Sequence, residues 1–567
     1  MKSVLLTNSI VPYLPVWGED YNDLTGSRLT RGQGPFTLKS HGHCWALYLI
    51  AENLTCPVTI LENPTIEEFE AEIGKGYDYW GVQVKVAFID KIAKMIRVAK
   101  KIAPNTKIVL GGYGVKALYD PVPYDPDNLA GEILENADYI CEGDGIKFFR
   151  ELLNDKPIDR PITQFTLPLG AGTIPGLEKM VQFYNAIVVA ALGCPGGCDF
   201  CATSHFFNRQ KIRLLSPEQC FQTMTFYAQK LSWKNFHCTV YDEDLLRDAN
   251  YVRELGRYIR ESKTHGLDKI KYLAFGSMEA LEQYDIEELQ LHGIDSIWVG
   301  VESTIKNELE RNYPQIAKKF KNRTFEEVFF QLHENGIVTT GSMILGFDFH
   351  TRENILQDIE RFVKLRPVFY QIGPLIPCPG TELYRNLKKA GKVRSTMTWH
   401  DGHLFADDLF DRPNFKPGEL KKFFDYIHDR LYEENGPSFL GSLDVNLNGY
   451  KKFKDAKDEP SRLRAELFKK NCQVYYACLN AVKEFASGKG AKERAREVEE
   501  KYKELLGEPS PNQKMLSQFF FNAIKNNVDR KPKTDPIYLP PRWTYYRQNS
   551  KSVYTIKGPR EPSLVKS

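Results

Sequence analysis

Gly193-Cys194-Pro195-Gly196-Gly197-Cys198-Asp199-Phe200-Cys201 brings three thiols together within nine residues. The C-x3-C-x2-C spacing sets three soft donors around one small inorganic centre and leaves a fourth corner unfilled. Iron–sulfur clusters usually take four cysteine ligands. Three at this spacing therefore predict an iron left open for a substrate or cofactor, with Cys194, Cys198 and Cys201 as the metal ligands. Thiolates also hold zinc. A closed zinc site takes four ligands, usually as two pairs of the C-x2-C or H-x3-H kind, and the nearest fourth candidate is His205, beyond Cys201 on the same loop. A non-enzymatic zinc or iron–sulfur binding module is therefore the rival reading from outside enzymology.

Outward from this loop, the composition is ordinary. The chain has 567 residues, enough for two or three domains. Apolar residues make up 42% and charged residues 26%, as in soluble globular proteins, and a net charge of +3 gives no electrostatic ground for nucleic-acid binding. No stretch reaches the roughly 18 apolar residues of a membrane-spanning helix. Met1-Lys2 leads into the strand-like Val4-Leu5-Leu6 and not into a signal sequence. Eleven cysteines without a disulfide framework fit a reducing compartment, so a cytoplasmic location is expected. An open-cornered cluster is oxygen-sensitive, which predicts an anaerobic or microaerobic host.

In residues 1–155, apolar runs near 3–7, 57–61, 79–84, 106–111 and 138–141 alternate with helical patterns near 44–54, 66–74, 89–103, 127–136 and 145–153. The alternation predicts a doubly wound parallel α/β sheet, in which ligands bind at the carboxyl ends of the strands. Gly111, Gly112 and the Glu142-Gly143-Asp144-Gly145 turn fall at such ends, where missing Cβ atoms let a large flat ligand approach the backbone. Tight βα turns use glycine for the same reason without any ligand. Residues 156–182 read as a linker.

From 183 to 390, strands near 185–191, 236–241, 271–275, 296–301, 338–345 and 368–373 predict a partial (β/α)6 barrel, whose working groups gather at the carboxyl ends. The Cys loop follows the first of these strands. After the second stand Asp242, Glu243 and Asp244, carboxylates that are costly to bury unless they face a cation or accept hydrogen bonds; a helix N-terminus also favours acidic residues. After the fourth come Glu302 and Ser303, a pair that would equally suit a helix cap. The fifth ends at Gly346.

Together these segments resemble a known family. The apolar run Ala186 to Ala191 entering G-C-P-G-G-C-D-F-C, with R-x-L-L-S-P-E at Arg213 to Glu218, resembles the radical S-adenosylmethionine (radical SAM) superfamily. The resemblance implies that Cys194, Cys198 and Cys201 hold a [4Fe–4S] cluster whose open iron chelates the amino and carboxylate groups of SAM. Reduction then cleaves SAM to a 5′-deoxyadenosyl radical, supplied in relatives by a donor such as flavodoxin or ferredoxin. It also implies SAM contacts at Phe200, Asp242, Glu243, Glu302, Ser303 and Gly346. K-I-V-L-G-G-Y-G (107–114) followed by A-D-Y-I-C-E-G-D-G-I-K-F-F-R-E-L-L (137–153) resembles the cobalamin-binding domain that precedes the barrel in one subfamily. Gly111, Gly112, Glu142 and Gly143 would then face cobalamin. I-P-C-P-G-T-E-L-Y (376–384) resembles that subfamily as well. The Asp-x-His-x-x-Gly pattern that gives cobalt a histidine is absent, since Asn8-Ser9-Ile10-Val11 follows the first strand. The function implied is a cobalamin-dependent methyltransferase acting on an unactivated carbon of a small-molecule, lipid or peptide substrate. The alternative is hydrogen abstraction, cyclisation or coupling without cobalamin.

Beyond about 391 the resemblance fades. A mainly helical region to 530 is expected, with helices near 417–434, 459–485 and 490–506. Trp399-His400-Asp401-Gly402-His403 is a possible substrate-facing loop, and an irregular tail is expected over 531–567.

Overall fold

The computed structural model describes the chain except for residues 1, 14–22, 24, 42, 165–170, 174–182, 231–235, 315–321, 403–408, 529–541, 548–554 and 558–567. Most of the expected linker, most of the tail and His403 lie outside the described residues.

The first part of the chain carries β1 (Val4–Thr7), β2 (Lys39–His41), β3 (Val58–Glu62), β4 (Tyr79–Gln83), β5 (Lys107–Gly111) and β6 (Tyr139–Ile140). β1 lies between β3 and β4, and β5 and β6 follow in parallel, so the strand order reverses beside β1. Val4, Leu5 and Leu6 are at most 1% exposed, as a strand covered on both faces requires. The helix Ile89–Ile102 buries Ile89, Ile92, Ala93, Ile96 and Ala99 at helical spacing. Thr65 and Glu68 form a capping box that starts the helix Ile66–Ile73. The expected doubly wound sheet is present, with every expected strand within two residues of its place.

The second sheet takes β7 (Ala171–Thr173) and β8 (Phe183–Val189). A separate two-stranded pair, β9 (Ala191–Leu192) with β10 (Ile212–Arg213), follows. β11 (Phe236–Tyr241), β12 (Tyr272–Ser277), β13 (Ile294–Glu302), β14 (Val338–Leu345) and β15 (Phe369–Pro374) complete it. β8 and β11 to β15 are parallel neighbours in chain order, the six-stranded partial barrel expected; β7 and β2 extend its edge in antiparallel fashion.

Helices cover the N-terminal ends of these strands. Arg464, fully buried on the helix Glu459–Tyr475, donates to the carbonyls of Gln290 at 2.9 Å and Leu267 at 3.3 Å, just ahead of β13 and β12. The helix expected over 459–485 breaks into two at a turn over Tyr476–Cys478. Two helices went unforeseen. Ser438–Phe453 is buried along most of its length and includes Gly441 and Gly449, so its polar stripe, Asp444, Asn448, Lys451 and Lys452, is too narrow to set a clear 3.6-residue period. Pro511 opens the helix Pro511–Val528 where it reads as a break, because proline is favoured at a first helical position.

The tail also departs from expectation. β16 (Trp543–Arg547) pairs antiparallel with β3 and with β17 (Thr555–Lys557), extending the first sheet. Tyr545 is buried and its hydroxyl donates to Glu52 at 2.9 Å; the Arg547 guanidinium donates to the carbonyls of Ala51 and Leu54. Five residues in a proline-rich setting give no period by themselves, and their partner strand is far away in sequence. No helix among the described residues is long and apolar enough to cross a membrane.

Candidate functional site

The Cys loop leaves the barrel after β8 and is closed at its base by the β9–β10 pair, Ala191 opposite Arg213 and Leu192 opposite Ile212. Gly193 turns the chain at φ +76°, and a Cβ there would collide with the Gln210 carbonyl and the Phe207 side chain. The three thiols are half-buried. The Gly196 N–H donates to Cys194 Sγ at 3.3 Å. Burial raises the Cys194 and Cys201 thiols, and Glu243 adds to the effect on both, so they stay protonated until a metal displaces the protons.

His205 is not available as a fourth ligand. Its Nδ1 lies 2.9 Å from the Cys201 carbonyl, and its Nε2 accepts from the Glu382 N–H at 3.1 Å. A ring nitrogen facing a carbonyl must carry the proton and one facing an N–H must not, so the ring is neutral with both nitrogens used. The Leu383 N–H donates to the Asp199 carbonyl at 3.0 Å. The first turn of the helix Glu382–Lys389, capped by Thr381, thereby staples the Cys loop to the segment after β15. Among the described residues no three His, Cys, Asp or Glu side chains close on one point to seat a single ion. Zinc holds its thiolates about 2.3 Å from one centre, whereas a cluster binds each sulfur to its own iron. Three thiols on one half-open loop fit the cluster.

The acidic residues after β11 divide by role. Asp242 is buried, with Oδ1 accepting from Lys211 Nζ at 2.6 Å and Oδ2 from Arg213 Nη1 at 2.9 Å. Both oxygens are engaged, and the residue pins the base of the Cys loop to β11. Glu243 is exposed, yet its carboxyl is raised, first by desolvation and then by Asp242. An open side chain that still loses hydration lines a crevice. Its charge is felt at Cys194, Cys201, Tyr113 and Tyr241, so the crevice faces the Cys loop. Phe200 is partly buried against the main core.

Glu302 ends β13 at φ +62°, next to a register shift between β13 and β14. A non-glycine residue held there is strained, and such bulges re-aim side chains near functional sites. Ser303 turns the other way. It is fully buried, and its hydroxyl donates to Asp358 Oδ2 at 2.5 Å, where His350 Nε2 also lies at 3.1 Å. Ser303 is therefore anchored to Asp358. Gly346 is also covered. Its φ is +85°, a Cβ would meet Leu420 at 2.5 Å and Arg412 at 2.9 Å, and its N–H donates to His350 Nδ1 at 3.0 Å. The missing Cβ makes room for Leu420 and Arg412 of the C-terminal segment. Burial raises the Cys378 thiol to about 12, as for an apolar filler.

At the carboxyl edge of the first sheet, Gly112 has φ +89° and packs on Val84, while a Cβ on Gly143, at φ +150°, would meet nothing within 4 Å. Gln83 Oε1, at the end of β4, is buried with no hydrogen-bond partner among the described residues. The open space at Gly143 and the orphaned acceptor of Gln83 on the same sheet edge fit a large flat cofactor such as cobalamin. Glu142 is exposed and paired with Lys116. Asn8 occupies the place after β1 and donates to Asn63 Oδ1 at 2.7 Å. A cavity of about 250 Å³ lies between the Cys141–Asp144 turn and Phe207, Asn208 and Ile212, beyond the Cys loop. Tyr113, between Gly112 and Gly114, stands edge-on to Phe206 with ring centroids 5.2 Å apart. The sequence reading passed over Tyr113 and Lys211; only proximity in the fold singles them out.

A three-cysteine loop with one open corner, at the mouth of six parallel strands, is the donor set that a site-differentiated iron–sulfur cluster in a partial βα barrel would take. Residues 188–362 match the family model of the Radical SAM superfamily. The chain is 24% identical over 234 residues to the bacteriochlorophyllide d C-12(1)-methyltransferase of Chlorobaculum tepidum, covering 40% of this chain and 48% of that protein. It is 23% identical over 384 residues to an uncharacterized methyltransferase of Pyrococcus horikoshii, covering 63% of this chain and 78% of the relative. The radical SAM methyltransferase TsrM of Kitasatospora setae, solved with tryptophan and a SAM analogue, superposes with a TM-score of 0.49 at 15% identity, covering 78% of this chain and 96% of that one. The match to the Chlorobaculum protein thus spans about half that protein's length.

Proposed function

We propose that the chain is a cobalamin-dependent radical SAM methyltransferase acting on an unactivated carbon. The observation that carries this reading is the meeting of the two cofactor edges: Tyr113, on the glycine turn of the first sheet, packs on Phe206, one turn past the last cluster cysteine. Methyl transfer to an unreactive carbon needs a radical generator and a methyl donor within reach of one substrate atom, and this contact supports a reading in which the two sites lie side by side. Both relatives found by sequence are named as methyltransferases.

Cys194, Cys198 and Cys201 would hold the cluster, and Gly111, Gly112, Glu142 and Gly143 would face cobalamin. Bound together, these groups supply a carbon-centred radical and a transferable methyl group. The chain's own residues bind and orient. Glu243 would accept from the amino group of SAM, and Glu302, at its strained backbone position, from hydroxyls of the ribose. Tyr113, Phe206 and Phe207 would form an aromatic wall between the two sites. A flavodoxin or ferredoxin as electron donor and an anaerobic cytoplasm complete the reading.

The test is anaerobic purification after growth with the vitamin, corrinoid extraction, and incubation of reduced protein with methyl-labelled SAM and host extract. Bound corrinoid, 5′-deoxyadenosine and label in a product are the outcomes expected. Deoxyadenosine without corrinoid would replace the reading by hydrogen abstraction alone.

A further inference from the structure

On the barrel strands one face is sealed beneath helices: Cys238 and Val240 of β11, Tyr272 and Ala274 of β12, and Ile297 and Val299 of β13 are all 0% exposed. The residues that alternate with them point into the concavity, and three of these, Tyr241, Phe275 and Trp298, are aromatic and only half-buried. They form one layer. Phe275 pairs directly with Trp298, and the Thr239–Leu273 pairing sets Tyr241 beside Phe275. Trp45, on the helix that follows β2, adds a fourth ring from the first domain.

Neighbouring rings in this row stand 5.4 Å (Trp45 to Tyr241), 5.8 Å (Tyr241 to Phe275) and 5.6 Å (Phe275 to Trp298) apart. Their planes are inclined by 42°, 42° and 25°. Phe275 and Trp298 overlap face to face, so the surface they leave open is largely ring edge. Aromatic edges are electropositive and prefer the electron-rich face of another π system. A core would have covered these side chains, and a continuous half-open apolar surface inside a concavity is a mark of a ligand site. Glu243 lies two residues beyond Tyr241 at the Cys-loop end of the row, so a molecule lying along the row reaches the place where the chemistry starts.

We propose that the substrate is a planar conjugated ring system, laid across Trp45, Tyr241, Phe275 and Trp298. This deepens the function proposed above and rests on it. An aliphatic chain or an ordinary peptide segment would fill the same space without the π face that the edges favour.

The full-length chain is titrated with 2-naphthalenemethanol and with its fully saturated decahydro analogue, two neutral probes that differ in aromaticity, and binding is followed by calorimetry and tryptophan fluorescence. At least tenfold tighter binding of the aromatic probe is expected. Phe275→Leu and Trp298→Leu should each remove most of that preference with little change for the saturated probe, whereas Phe330→Leu, at an exposed position on an outer helix, should change neither. The preference is read on the unmutated chain, so it stands even if a variant fails to fold. Equal binding of the two probes, or a preference that survives both leucine substitutions in folded protein, overturns the proposal. Formation of 5′-deoxyadenosine is measured separately on the reconstituted enzyme. Its presence without ring preference sinks the substrate class alone, and ring preference without it sinks the proposed reaction alone.

Discussion

Tyr113 and Phe206 meet edge to face at 5.2 Å, one on the glycine turn of the first sheet and the other on the turn behind the three loop cysteines. The Tyr113 hydroxyl also bonds Thr203, and burial with the nearby Glu243 pushes its pKa up. An edge-to-face pair is worth about 1 kcal/mol beyond area burial. A double-mutant cycle of Tyr113→Leu and Phe206→Leu, read by chemical denaturation, should return a coupling of about that size. In the reconstituted enzyme Tyr113→Leu should lower methylated product more than deoxyadenosine, because the two sites lose their common wall.

Asp242 should behave as a structural residue. Its loss leaves Lys211 and Arg213, 16% and 28% exposed, without their shared carboxylate. Removing one partner of a buried ion pair costs about 3 kcal/mol. Denaturant titration of Asp242→Ala should show a loss of that order. Lys211→Met together with Asp242→Leu should recover part of it.

Glu243 should show the opposite pattern. Glu243→Gln removes a charged acceptor from the crevice without leaving a buried cation alone, so stability should change little. A hydrogen bond to a charged group is worth about 1.5 to 3 kcal/mol, which predicts a ten- to hundredfold weaker affinity for SAM by equilibrium dialysis of cluster-loaded protein. Unchanged affinity would remove Glu243 from the SAM site.

His428 gives a dependence on pH. The ring is 3% exposed, its Nδ1 faces the Phe424 carbonyl at 2.6 Å, and burial lowers its pKa to about 3, with the Arg31 charge adding and Asp425 opposing. In the unfolded chain it titrates near 6.5. The folded form thus resists a proton that the unfolded form accepts, so stability is complete above pH 6.5 and falls as pH drops toward 3. The slope approaches about 1.4 kcal/mol per pH unit. Denaturation of the native chain and of His428→Gln across this range should differ by that slope, and parallel curves would show that the ring is not held neutral.

Deleting residues 543–567 should expose the edge of β3 and leave the Ala51 and Leu54 carbonyls without Arg547. Unpaired edge strands recruit other chains. The truncated protein should melt earlier and form larger species on size-exclusion chromatography, even though the Cys loop is untouched.

The parts legible in the sequence were those with local causes. Three cysteines on one loop need no distant partner to be recognised, and alternating apolar runs placed both sheets to within a few residues. The site beyond the cysteines was legible only by chain position. Asp242 and Glu243 are adjacent and chemically alike, yet one is turned into an ion pair with Lys211 and the other into the crevice, because successive residues at a strand end point in opposite directions. Ser303 and Glu302 divide in the same way, through the left-handed backbone at Glu302. His205 reads as a candidate metal ligand until the helix start at Glu382, far along the chain, is found using its second nitrogen.

The pairing of β16 with β3 also orders events during synthesis. A growing chain emerges from the ribosome N-terminus first, so the strand that completes the first sheet is made only after the whole barrel and the helices beneath it. Until then β3 remains a naked border, and the nascent first domain must be shielded, by a chaperone or by slow collapse, through nearly the entire period of translation.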